Sequence, residues 1–132
     1  MKKIIFCMDF SRDSERALQY ALSLAMEYNA ELTTLHVLEN VPATLDIQGE
    51  TSRICQQLER PVPEDAKNWC KVKSEVRIGK PYEEINKFAT ETQADLVIMG
   101  VRGRNAIDLA LFGSTTYRVI QLGPCPVLAV HI

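Results

Sequence analysis

The sequence predicts an α/β domain built on an open, parallel five-stranded sheet. Three observations carry that prediction. Short apolar runs and segments of helical spacing alternate along the whole chain. The runs are continuously apolar, as in Leu96-Val97-Ile98-Met99, which marks strands buried on both faces. Glycine, proline and asparagine stand at the boundaries between them. Strands that alternate with helices imply right-handed crossovers and a sheet covered on both sides. At 132 residues the chain reads as a single domain, 1–132, large enough to bury roughly two-thirds of its unfolded surface.

Taken in order, Lys2 to Met8 is the first strand. Ser11 offers an N-cap oxygen to the helix that follows, with Asp13 and Glu15 in the first turn where the helix dipole favours them. Ala17, Leu18, Ala21, Leu22, Ala25 and Tyr28 recur at helical spacing and form one apolar face. Asn29 suits a left-handed stop. Glu31 to Leu38 is the second strand. The next crossover is the least regular part: Thr51 to Arg60 has helical spacing at Ile54, Cys55 and Leu58, and Pro61 and Pro63 forbid a continuous helix. Pro63-Glu64-Asp65-Ala66 reads as a fresh helix start running to about Trp69. Val41 to Glu50 is expected to be a disordered loop. Val72 to Ile78 is the third strand, closed by Gly79-Lys80-Pro81, with Pro81 opening a helix at its first position. Glu83 and Glu84 occupy that helix's first turn, and Ile85, Phe88 and Ala89 face inward. Asp95 to Met99 is the fourth strand. Thr115 to Ile120 reads as a helix with Ser114 near its start, stopped by Gly123-Pro124, and Pro126 to Ile132 is the fifth strand.

Composition narrows the function classes. Fifteen basic and seventeen acidic side chains leave a net charge of −2, so no global field favours nucleic acid or an anionic membrane. No apolar run approaches the ~18–20 residues that span a bilayer, and Asp9, Arg12 and Asp13 interrupt the N-terminal run too early for a signal peptide. A cytoplasmic location is expected. Cys7, Cys55, Cys70 and Cys125 lie far apart with no C-x-x-C pair, which fits separate reduced thiols. No metal site is expected, since only His36 and His131 are available to assist, and both fall in apolar strands. Trp69, Tyr82 and the other aromatics are too scattered for a base-stacking platform.

Two features carry chemistry. Gly100-Val-Arg-Gly103, nine residues and Gly113-Ser114 follow an apolar strand and precede a helix. A strand, a glycine loop and a helix N-terminus make a phosphate site, because unpaired N–H groups and the helix dipole both point at the loop. Glycines let the backbone approach an anion and take up positive φ, and Arg102 and Arg104 can add charge-assisted contacts. The second feature is Asp9-Phe10-Ser11, at the carboxyl end of the first strand. In an open α/β sheet, ligands bind outside the strand carboxyl ends where the strand order reverses. If strands one and four are neighbours at that reversal, Asp9 and the Gly100 loop lie on opposite lips of one crevice. The carboxylate there would accept hydrogen bonds from ribose hydroxyls or an adenine amino group; the plainer role for Asp9 is to cap the helix after it.

The glycine loop resembles the G-x2-G-x9-G-[S/T] signature of the ATP-binding branch of the universal stress protein family. Asp9-Phe10-Ser11, Leu35-His36-Val37, Gly79-Lys80-Pro81, Ala94 to Gly100 and Cys125-Pro126-Val127-Leu128 extend the resemblance over essentially the whole chain. It implies a flavodoxin-like fold, also described as adenine nucleotide alpha hydrolase-like, with strand order 3-2-1-4-5. It implies a nucleotide site in which Asp9, with Phe10 and Ser11, faces adenine and ribose, and Val37 reads the adenine edge through its backbone. Met99 would approach the ribose through its backbone. Gly100, Arg102, Gly103, Gly113, Ser114 and Thr115 would hold the phosphates of ATP with Mg. The resemblance also implies a homodimer paired through the last strand. The departure from the family pattern is the proline-broken second crossover, near the adenine side.

Competing motifs are absent. Gly79-Lys80-Pro81 lacks the glycine spacing of a P-loop, the first strand is followed by Asp9-Phe10-Ser11 where a dinucleotide fold would carry G-x-G-x-x-G, and Gly79 stands where a phosphorelay receiver would need an aspartate. The expected function is that of an ATP-binding sensor or regulator in stress response, not an enzyme. The other readings are a nucleotide-independent interaction protein of the same fold and a slow ATPase, for which the sequence offers no water-positioning residue.

Overall fold

The computed structural model describes residues 1–102 and 113–131. Among the described residues, five strands and four α-helices alternate: β1 Lys3–Cys7, α1 Arg12–Tyr28, β2 Glu31–Leu38, α2 Ile47–Glu59, β3 Lys71–Ile78, α3 Pro81–Thr92, β4 Leu96–Gly100, α4 Ser114–Leu122 and β5 Val127–Val130. A 3-10 turn, Glu64–Asn68, lies between α2 and β3. The sheet order is β3-β2-β1-β4-β5 and every pairing is parallel, as expected.

Alternation along the strands sends successive side chains to opposite faces and so creates two cores. Ile4, Phe6, Leu32 and Ile98 pack beneath Ala17, Leu18, Ala21, Ile54 and Leu58 of α1 and α2. Ile5, Leu35, Val97 and Met99 pack beneath Ile85, Phe88, Ala89 and Val119 of α3 and α4. Both two-helix layers follow from right-handed crossovers that run one way along the sheet from β1 to β3 and the other way from β3 to β5. The meeting of the two directions, between β1 and β4, is the reversal point of the sheet.

Local signals behave as their chemistry requires. Ser11 caps α1 by accepting the Ser14 N–H at 3.2 Å, and Asn29 ends the helix at φ 49°. Pro81 takes the first turn of α3, after Gly79 at φ 148°. Four expectations need correction. Val41–Glu50 is not loop throughout: α2 begins at Ile47, because Asp46 caps it through the Gly49 N–H at 3.2 Å. The segment after Pro63 forms a single 3-10 turn, since only five residues separate Pro63 from Trp69. Tyr28 is exposed at the last turn of α1 and does not join its apolar face. The fifth strand ends at Val130, which leaves His131 exposed beyond it.

Candidate functional site

At the carboxyl end of the sheet, β1 and β4 are adjacent, with Phe6 opposite Ile98. Asp9, three residues beyond Phe6, and Gly100, two beyond Ile98, therefore leave the sheet side by side. Asp9 turns sharply into α1: its Oδ1 accepts the Ser11 N–H at 3.0 Å, and Phe10 between them has φ 64°. A bulky residue in the left-handed region costs about 1–3 kcal/mol and persists only where its surroundings hold it. Phe10 packs against the α1–α2 core and meets the His36 ring at 5.1 Å between centroids. His36 itself donates from Nδ1 to the Met8 carbonyl at 2.6 Å. Neither Phe10's conformation nor the role of His36 is visible in composition or spacing.

Val37 stands on the same lip. Leu35 accepts the Met8 N–H at 2.9 Å, one step past the last β1–β2 pair. In a parallel strand, groups two residues apart point the same way. The N–H and C=O of Val37 thus project towards β1 beyond its end, over the Asp9 turn.

On the other lip, Gly100 ends β4 against the first turn of α1. A Cβ there would lie 2.7 Å from Asp13 Cβ and 2.9 Å from the Ser14 nitrogen. Its carbonyl accepts the buried Thr116 hydroxyl at 2.7 Å, which ties α4 to the strand. Gly113 is the N-cap of α4 and donates to Val101 O at 3.0 Å. The first turn of α4 has no side-chain cap and no acidic residue. The backbone N–H groups of Ser114, Thr115 and Thr116 are thus without intrahelical partners. By contrast, α1, α2 and α3 all carry acidic first turns. This end is built to receive negative charge.

Two sequence expectations change here. Gly113 has φ −63°, and the only glycine with positive φ among the described residues is Gly79, so neither Gly100 nor Gly113 serves through a left-handed backbone. The value of Gly100 is its close approach to α1. Arg102 points at protein: its backbone N–H and Nε lie 3.2 and 3.3 Å from Asp13 Oδ2, and the Asp13 side chain is only 4% exposed. Asp13 thus anchors the start of the loop as well as sitting in the first turn of α1. Met99 is buried in the α3–α4 core. Gly103 and Arg104 lie outside the described residues.

The remaining reactive groups are quiet. Burial pushes all four thiols above the ordinary cysteine range, Cys7 most strongly, with Asp9 and Cys125 adding to it, so none is poised as a thiolate. Among the described residues no three His, Cys, Asp or Glu side chains gather as a metal site, and no helix is long and apolar enough to cross a membrane.

The sequence model of the universal stress protein family matches residues 1–131. The chain belongs to this family. It is 33% identical over 138 residues to universal stress protein MJ0531 of Methanocaldococcus jannaschii, a match that takes in 98% of this chain and 81% of the relative. Its fold is that of solved universal stress proteins. One, in complex with cAMP, superposes with a TM-score of 0.73 at 23% identity, covering 98% of this chain and 96% of its own. Another, from Archaeoglobus fulgidus in complex with dAMP, gives 0.68 at 21% identity, covering 98% and 97%.

Proposed function

We propose that the chain binds ATP with Mg in the crevice between β1 and β4, and acts as a nucleotide-dependent sensor or regulator in stress response, without catalytic turnover. The observation that carries this reading is the first turn of α4. Among the described residues it has no side-chain cap and no acidic residue, and it follows β4, which pairs with β1 at the reversal point of the sheet. The triphosphate takes the N–H groups of Ser114 and Thr115, with Gly113 allowing close approach. The adenosine lies towards β1 and β2, where Asp9 offers acceptors and the Val37 backbone offers both a donor and an acceptor. The two solved family members with cAMP and dAMP, both adenine nucleotides, support an adenine preference. No second glycine turn follows β1 to hold the other half of a dinucleotide. Mg would supply positive charge at the phosphates, beside an Arg102 already engaged by Asp13. We place the protein in the cytoplasm, as a homodimer paired through β5.

Gly113→Val tests the phosphate side. Gly113 lies in extended backbone that valine also adopts, so the substitution carries no backbone strain, and circular dichroism of the variant verifies the fold. Calorimetric titration with Mg-ATP should show saturable binding to the wild type and a loss of at least about ten-fold in affinity in the variant. Equal affinities would remove the phosphates from this helix.

A further inference from the structure

We infer that His36 is a positioning residue for the adenosine half of the site, locking the strand that carries Val37 to the turn that carries Asp9. The inference rests on the nucleotide reading above and names a residue that reading does not use.

The geometry converges on one ring. A carbonyl can only accept, so the 2.6 Å contact to Met8 O fixes the proton on His36 Nδ1. Met8 is thereby held on both sides by β2, its N–H by the Leu35 carbonyl and its C=O by His36. This side-chain rung extends the β1–β2 pairing past the last ladder pair, Cys7 with Leu35. Asp9 is the next residue along. The Phe10 ring, tilted 56° against His36, holds the left-handed turn that brings the Ser11 N–H onto the Asp9 carboxylate. On the other strand, Val37 follows His36 directly. One side chain therefore sets the distance between a carboxylate and a backbone edge that belong to different strands. A purine read by both requires that distance to be fixed before binding.

Two substitutions separate the hydrogen bond from the packing. His36→Phe keeps a ring against Phe10 and removes the donor. His36→Asn removes the ring and places an amide N–H where Nδ1 stood. ATP and GTP affinities are measured by titration for wild type and both variants, with thermal melts to verify folding. The expected result is that His36→Phe lowers the ATP-over-GTP preference by about ten-fold, while His36→Asn keeps most of it. An unchanged preference in His36→Phe overturns the proposal. So does an equal loss of ATP and GTP in a folded variant, which would mean a general structural role. Equal ATP and GTP binding by the wild type overturns it too. If the wild type binds neither nucleotide, it is the nucleotide reading itself that fails.

Discussion

Gly100 shows how a single position serves two masters. The spacing of the loop singles it out as a glycine for a phosphate, yet its immediate neighbour is the protein: the first turn of α1 leaves no room for a Cβ. Because two of the three nearest atoms are backbone, nothing can swing aside. Gly100→Ala should therefore destabilise the fold by about 1–3 kcal/mol, the usual cost of forcing extra volume into a packed seam. Urea unfolding of both proteins checks this, and an unchanged midpoint would mean that the seam is looser than the distances say. Arg102 teaches the converse lesson. From sequence it is a cation in a phosphate loop, but its partner Asp13 is 89 residues away, and only the folded sheet brings them together. Thr116 was invisible for the same reason, since its hydroxyl matters only through the distant Gly100 carbonyl. Phe10 is named by the motif, but its left-handed backbone is not, because propensity assigns no bulky residue to that conformation.

The elements themselves were largely legible. Continuously apolar runs locate the central strands without reference to periodicity, and Ser11, Asn29 and Pro81 mark helix ends by chemistry that needs no tertiary context. The start of α2 is not legible in the sequence, since it depends on Asp46 accepting the Gly49 N–H in the folded turn. Pairing between elements was less legible, and Asp95 shows why. Its carboxylate accepts the N–H groups of Lys2 and Lys3 at 2.8 and 2.9 Å, while its own N–H reaches the Lys3 carbonyl, so it staples the start of β4 to the start of β1. Those backbone donors, first Lys2 and then Lys3, hold the Asp95 carboxyl below its ordinary value. A carboxylate lowered in the folded state stabilises the fold above its unfolded value, and that contribution is lost as pH falls through the folded one. Asp95→Asn should thus flatten the acid limb of the stability curve below about pH 4 and matter least there. Melting temperatures recorded from neutral to acid pH decide this; parallel acid limbs for the two proteins would rule the staple out.

At the scale of the whole molecule the two sheet edges differ. β3 carries Lys71, Lys73, Glu75 and Arg77 along its length, with Lys73 paired to Glu31 at 2.9 Å, and such charges discourage pairing with another chain. β5 reads Val-Leu-Ala-Val, and among the described residues no strand pairs its outer side. An apolar edge of this kind is closed most simply by a two-fold copy of itself. Pro126 and Val130 carbonyls bond inward to β4, which turns the Ala129 N–H outward. Ala129→Pro removes that donor while leaving the inner ladder in place, whereas a lysine at Val130, only 7% exposed, would enter the core. Sedimentation equilibrium at micromolar concentration should find a wild-type dimer and a monomeric variant with unchanged circular dichroism. A wild-type monomer would exclude self-pairing through β5.

The central claim, that the crevice between Asp9 and the first turn of α4 holds an adenine nucleotide, is tested most directly by what the folded protein carries. Protein purified without added ligand is denatured, and the released small molecules are separated and identified by mass. Adenine nucleotide, with ATP the principal species, is the expected result, and Mg-ATP added to the stripped protein should restore it. Absence of nucleotide from the purified protein, together with no saturable uptake of Mg-ATP, would contradict the account.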